Sequence, residues 1–210
     1  EERIMYIQEK ESPNHKPIYQ QICCIIFRES SSGPVFGNEI EKKHFLDILL
    51  NAIKNKSVRV YAYCVLDETG YILMSAKTEQ IMSEIMDRVR EDFAVCYNKR
   101  FPGSSAAFEY EFQWLELCKS EQLIQACIEL HLLPVRHGYA KQEQDYWWSS
   151  LKEYMLKYRS GIIYPEILLK RLDLNARGAV RKMKTLHRKR GYPGMPKQLP
   201  YNTNVSEKKK

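Results

Sequence analysis

Arg177, Arg181, Lys184 and Arg188 recur at helical-turn spacing in the 210-residue sequence, so on a helix they would line one face. Cationic side chains in such a row neutralise phosphates, and a guanidinium or ammonium group that reaches a groove can also read a base edge. Lys182, Lys189 and Arg190 add to the row, and Asn175 stands where the helix would begin. The candidate DNA-contacting set is therefore Asn175, Arg177, Arg181, Lys182, Lys184, Arg188, Lys189 and Arg190. Overall charge supports it. Residues 152–210 carry 16 Lys+Arg against 4 Asp+Glu, or +12, which leaves −5 for residues 1–151 of a chain whose net charge is +7. An acidic body with a basic C-terminal segment implies a polyanion held mainly by that segment.

The row needs a frame, and residues 162–190 (IIYPEILLKRLDLNARGAVRKMKTLHRKR) supply the pattern for one. Pro165 suits the first turn of a helix, with Ile167, Leu168 and Leu172 as its apolar face. Asp173-Leu174-Asn175 reads as a turn with Leu174 plugged into the core. Asn175 caps a second helix whose Ala179, Val180, Met183 and Leu186 face inward. Two short helices around such a turn resemble a helix-turn-helix. Gly178 is the discordant residue, since glycine inside a helix costs about 1 kcal/mol relative to alanine.

The preceding residues read as a separate layer. Ile18–Arg28 is a strand rich in Ile and Tyr, broken by SSSGP at 30–34. Asn38 or Glu39 opens a helix carrying Phe45, Leu46, Ile48, Leu49 and Ile53. Val58–Leu66, a DETG turn and Tyr71–Ser75 form a hairpin. Thr78 caps a second helix lined by Ile81, Ile85, Val89, Phe93 and Tyr97. Phe108–Leu115 is a further strand, and Ser120 opens a third helix that Pro134 limits. This order predicts an α+β fold, a ferredoxin-like or RRM-like antiparallel sheet with helices on one face, plus a C-terminal helical segment. The expected partition is 1–156, a basic segment at 157–191, and a Pro-, Asn- and Lys-rich tail at 192–210 with the composition of a disordered stretch.

Other chemistry is sparse. The six cysteines show no C-x-x-C or zinc spacing, and most lie in apolar segments, as expected of reduced core thiols in the cytoplasm. His15, His44, His137 and His187 form no ligand spacing. The longest strongly apolar run, Ile22–Phe27, is far short of the roughly 20 residues of a membrane helix. No charged-then-apolar leader opens the sequence, so nothing points to secretion.

Four separated blocks carry a specific resemblance: FLDILLNAIKNKSVRVYAYCVL (45–66), YNKRF (97–101), LLPVRHGY (132–139) and DYWWSS (145–150). In that order they resemble the REP-associated branch of the single-tyrosine HUH transposases, up to about Leu156. The resemblance implies a divalent metal, Mg²⁺ or Mn²⁺, held by two histidines on one strand. It also implies a helix-borne tyrosine that attacks a phosphodiester and forms a covalent 5′-phosphotyrosine. The family's Met-Pro-Asn-His-Val-His-Leu-Leu falls on Leu66–Leu73, so Thr69 and Tyr71 replace both histidines. Its Arg-Tyr-Ile-His-Leu-Asn-Pro-Val-Arg falls on Ile128–Arg136, so Glu129 replaces the nucleophile and Leu133 the metal-binding asparagine. A substitute cation site would have to draw on Asp67, Glu68, Glu129 and His131, yet adjacent turn acids are ordinarily just solvated. An unactivated Tyr71 phenol, near pKa 10, is a poor nucleophile at neutral pH. No catalytic residue, metal ligand or cofactor is therefore assigned.

Three readings follow. The first is a transposase-derived protein that binds duplex or hairpin DNA without strand transfer. The second is an active, divergent single-strand transposase or nuclease. The third is an RRM-like RNA binder stacking bases on Tyr61, Tyr63 and Tyr71, against which the acidic body weighs.

Overall fold

Two side-chain caps set the first long helices. The Asn38 oxygen accepts from the backbone N–H groups of Ile40 and Glu41, both at 3.0 Å, and the Thr78 hydroxyl accepts from that of Ile81 at 3.3 Å. The computed structural model describes residues 21–29, 35–102, 110–116, 122–156 and 158–189. Their order is β1 (Gln21–Glu29), α1 (Glu39–Ile53), β2 (Val58–Val65), β3 (Thr69–Ala76), α2 (Glu79–Arg100), β4 (Tyr110–Glu116) and α3 (Gln122–Arg136). Short α4 (Leu151–Met155), then α5 (Pro165–Leu172) and α6 (Ala176–Arg188), complete it. The strands form one antiparallel sheet in the order β2-β3-β1-β4, the ferredoxin-like arrangement that the sequence predicts. Phe108, Ser120 and the tail at 192–210 lie outside the described residues.

On one face α1 and α2 pack together over Phe27, Phe36, Phe45 and Phe93, whose ring centroids lie 4.5 to 6.0 Å apart. Gly70 pairs with Phe27 across the strands, and an added Cβ there would overlap the Phe27 ring. Only glycine fits under that ring.

The second face is covered as well. All eight residues of β3 are buried, so both of its faces are covered, and α3 packs across β2 and β3. The apolar run Tyr71–Met74 at the centre of β3, without polar alternation, is the mark of a strand buried on both sides. Tyr61, Tyr63 and Tyr71 are consequently 6%, 1% and 8% exposed, which removes the stacking platform that an RRM-like reading requires. Tyr61 Oη lies 2.9 Å from Ser75 Oγ, and Tyr63 Oη donates to Glu153 at 3.2 Å.

The outer edge of β2 is closed as well. Val65 N–H donates to the Trp148 carbonyl at 2.9 Å and Ser150 N–H to the Tyr63 carbonyl at 3.0 Å, while Ile163 bridges Val60. Further along, α3 runs through Pro134 and ends at Arg136, two residues past the expected limit. A proline in the last turn forfeits a single hydrogen bond, and the Pro134 carbonyl is taken up by Tyr139 N–H at 2.8 Å.

Candidate nucleic-acid interface

The interface is built on the turn between α5 and α6. Pro165 occupies the first turn of α5, and the Asn175 oxygen caps α6, accepting from Arg177 N–H at 2.9 Å and Gly178 N–H at 3.3 Å. Between them Asp173 is extended and its carboxylate accepts from Asn175 N–H at 2.9 Å. That local turn directs Leu174 outward, where it is 80% exposed, so the expected core plug is absent. Pro165 and Leu168 on α5 and Ala179, Met183, Leu186 and His187 on α6 are the buried residues instead. Gly178 now has its explanation. A Cβ there would lie 2.8 Å from Asp173 Oδ2, so a side chain at this position would have to push the turn's carboxylate aside.

One side of α6 buries Ala179, Met183, Leu186 and His187. Arg177, Arg181, Lys182, Lys184, Arg188 and Lys189 are exposed, and Arg190 lies outside the described residues. Lys182 differs from the rest: its ammonium donates to the Leu172 carbonyl at 3.1 Å and pairs with Asp173 at 3.1 Å, tying α6 back to the turn. Asn175 likewise spends its side-chain oxygen on the cap. Four side chains at successive turns, Arg177, Arg181, Lys184 and Arg188, thus form the outward stripe. Leu168, Met183 and Leu186 belong to the same apolar cluster as the sheet residues, so the stripe rides on a helix anchored to the body.

At the positions where the family resemblance implies metal chemistry, the side chains are sealed. Thr69 and Tyr71 are 7% and 8% exposed, and Glu129 is 1% exposed. Gln125 Nε2 donates to Glu129 Oε1 at 2.8 Å, while Oε2 faces the Arg136 guanidinium in an ion pair without an aligned N–H···O bond. Leu133 packs against the core. A hydroxyl, a phenol and an aliphatic chain do not supply the imidazole and amide donors a divalent cation takes in this family, so the residues present do not fit the metal. The alternative set is not gathered either. Asp67 pairs with Lys42 at 2.5 Å, Glu129 is held by Arg136, and His131 contacts His187; among the described residues no three His, Cys, Asp or Glu side chains are arranged to hold a metal ion.

Two features escaped the sequence reading. Lys152 Nζ lies 3.8 Å from the Trp147 ring centroid and 4.3 Å from that of Tyr158, and burial lowers its pKa to about 8. The second is a buried chain of polar groups, Ser150, His131 and His187, at the contact of α3 with α6. His131 and Ser150 fall in or beside the resembling blocks; no signal in the sequence ties His187 to them.

The described cysteines are free thiols, with burial raising Cys24 and Cys127 to about 12, and no described helix is long and apolar enough to cross a membrane. No protein-family profile matches the chain, and no curated protein does. Among solved structures, the chain matches "Structure of the REP associates tyrosine transposase bound to a REP hairpin", at 12% identity and a TM-score of 0.50 over 66% of this chain and 82% of that one. At that identity the likeness is one of fold. This chain is a mixed α+β protein similar in architecture to a REP-associated tyrosine transposase.

Proposed function

We propose that the chain is a DNA-binding protein on a transposase-type scaffold that has lost strand-transfer chemistry, with α6 as its reader. The observation that carries this is the exposed stripe Arg177, Arg181, Lys184 and Arg188 on a capped helix, set against a body of net charge −5. Phosphate attraction falls on the helix and repulsion on the body, so the duplex or hairpin backbone is oriented toward α6. Loss of chemistry is supported by Thr69, Tyr71, Glu129 and Leu133, which are buried or packed against the core and unsuited to hold a cation or attack phosphorus. Regulation of, or association with, chromosomal DNA is the role this leaves.

The test has two arms on the full chain. Fluorescence anisotropy with duplex, hairpin and single-stranded DNA should give salt-dependent binding that Arg181→Ala with Lys184→Ala weakens. Incubation with hairpin-bearing single strands and Mg²⁺ or Mn²⁺ should leave no covalent adduct on a denaturing gel. An adduct would overturn the inactive assignment; binding indifferent to the α6 double variant would overturn the reader.

A further inference from the structure

The contact between α3 and α6 contains a run of hydrogen bonds whose direction can be worked out from one end. His187 Nδ1 lies 2.9 Å from the Met183 carbonyl, which can only accept, so Nδ1 carries a proton. In the neutral ring Nε2 is then an acceptor. His131 Nδ1 is 3.0 Å from that atom and must donate to it. The remaining nitrogen, His131 Nε2, is in turn an acceptor, 2.8 Å from the Ser150 hydroxyl, which donates. Ser150 Oγ itself accepts the Tyr63 N–H at 3.0 Å. Every ring nitrogen has a partner in the run, and the rings stack at 5.2 Å between centroids.

The bond between the two rings requires a neutral His187. A proton added at His131 Nε2 would turn the Ser150 hydroxyl from donor to acceptor, and one at His187 Nε2 would face the N–H of His131. The second event breaks a buried hydrogen bond, and either one places a cation among groups that are 0% (His131, Ser150) and 3% (His187) exposed.

We propose that the His131–His187 pair is an acid-sensitive latch that holds α6 against α3, and that protonation of the pair releases α6 from the body.

The groups packed around the pair leave little to stabilise the cation. From α3, Cys127 Sγ lies 3.9 Å from both nitrogens of His131, and burial keeps its thiol neutral by raising its pKa to about 12. From α4, the Tyr154 ring is 5.4 Å from that of His131, its phenol likewise raised by burial. The hydrogen bond to the Met183 carbonyl, with the charge of Glu143 before α4, gives His187 its pull toward protonation. Burial outweighs it. Both histidines are held below 6.5 chiefly by desolvation, with His187 adding to the effect on His131. The sign follows. Above about pH 6.5 both docked and released rings are neutral and docking is at full strength. As pH falls below that value the released rings take up protons that the docked rings resist, and docking weakens down to the lowered values. The stripe then loses its frame, a consequence that rests on the DNA-binding reading.

Hydrogen–deuterium exchange of the full chain between pH 8 and 5, corrected for intrinsic rates, tests the latch without DNA. The opening equilibrium of residues 176–188 should rise by up to about tenfold per pH unit for each ring below 6.5, while β1 to β3 keep their protection. His131→Gln with His187→Gln can still donate and accept but does not titrate, and should flatten the response. Protection of α6 that is independent of pH in the native chain, or an equal fall in the double variant, would overturn the proposal. Ring ¹⁵N shifts of the native protein at pH 7.5 keep it falsifiable if the variant does not fold. Two neutral rings, both protonated at Nδ1, are expected; any other tautomer or a charged ring overturns it.

Discussion

Glu129 and Arg136 form an ion pair along α3 in which the carboxylate side chain is 2% exposed and the guanidinium side chain 33%. The acid stands where the resemblance implies a tyrosine nucleophile, and the scaffold has closed around it. Gln125 holds its other oxygen.

Removing the arginine should therefore be costly for folding. Arg136→Ala leaves a buried carboxylate with one amide partner, and the loss should fall toward the lower end of about 3–5 kcal/mol because Arg136 is partly solvated. Replacing both residues by leucine should cost less than Arg136→Ala alone. Urea unfolding at neutral pH reads both numbers. An Arg136→Ala variant as stable as the native chain would mean that Glu129 reaches water. By the same reasoning, Glu129→Tyr strands Arg136 and should destabilise rather than restore a nucleophile.

A second expectation concerns the turn before α6. Gly178→Ala should not yield the usual gain of about 1 kcal/mol for a helical glycine, because the Asp173 carboxylate lies 2.8 Å from the new Cβ. With Asp173→Ala in the background the gain should reappear, a coupling that a double-mutant cycle measures directly. Asn175→Ala should cost about 1 kcal/mol by removing the cap. Additive effects of the Asp173 and Gly178 changes would show that the two do not touch in solution.

The stripe itself is separable residue by residue. Removing one cation from a phosphate should flatten the slope of log K against log salt by about 0.9 on duplex DNA. Arg181→Ala with Lys184→Ala should therefore reduce it by up to about 2. Lys182→Ala should change it less, because that ammonium already faces Asp173 and the Leu172 carbonyl. If either stripe residue reaches a base edge, discrimination at that position should fall by about 1–3 kcal/mol. An equal change from Lys182 and Lys184 would contradict the division of labour drawn here. These variants are made in the full chain, since α5 and α6 share the apolar cluster of the body.

Much of this protein was legible before any fold was known, and the legible part has a common cause. Caps at Asn38, Thr78 and Asn175, the apolar faces of α1, α2 and α6, the spacing of Arg177 to Arg188 and the strand-helix order all depend on residues a few positions apart. Periodicity and side-chain capping record such short-range forces directly. The direction of Leu174 did not follow the pattern, because a side-chain bond from Asp173 reset the turn. Only the tertiary structure decided that α3 covers the second face of the sheet, which buried Tyr61, Tyr63 and Tyr71 and closed the RNA reading. It likewise joined His131 to His187 across 56 positions and Tyr63 to Ser150 across 87. No local preference encodes those pairings. They exist because burying apolar surface from every element at once leaves each remaining polar group to find its partner wherever packing has put one.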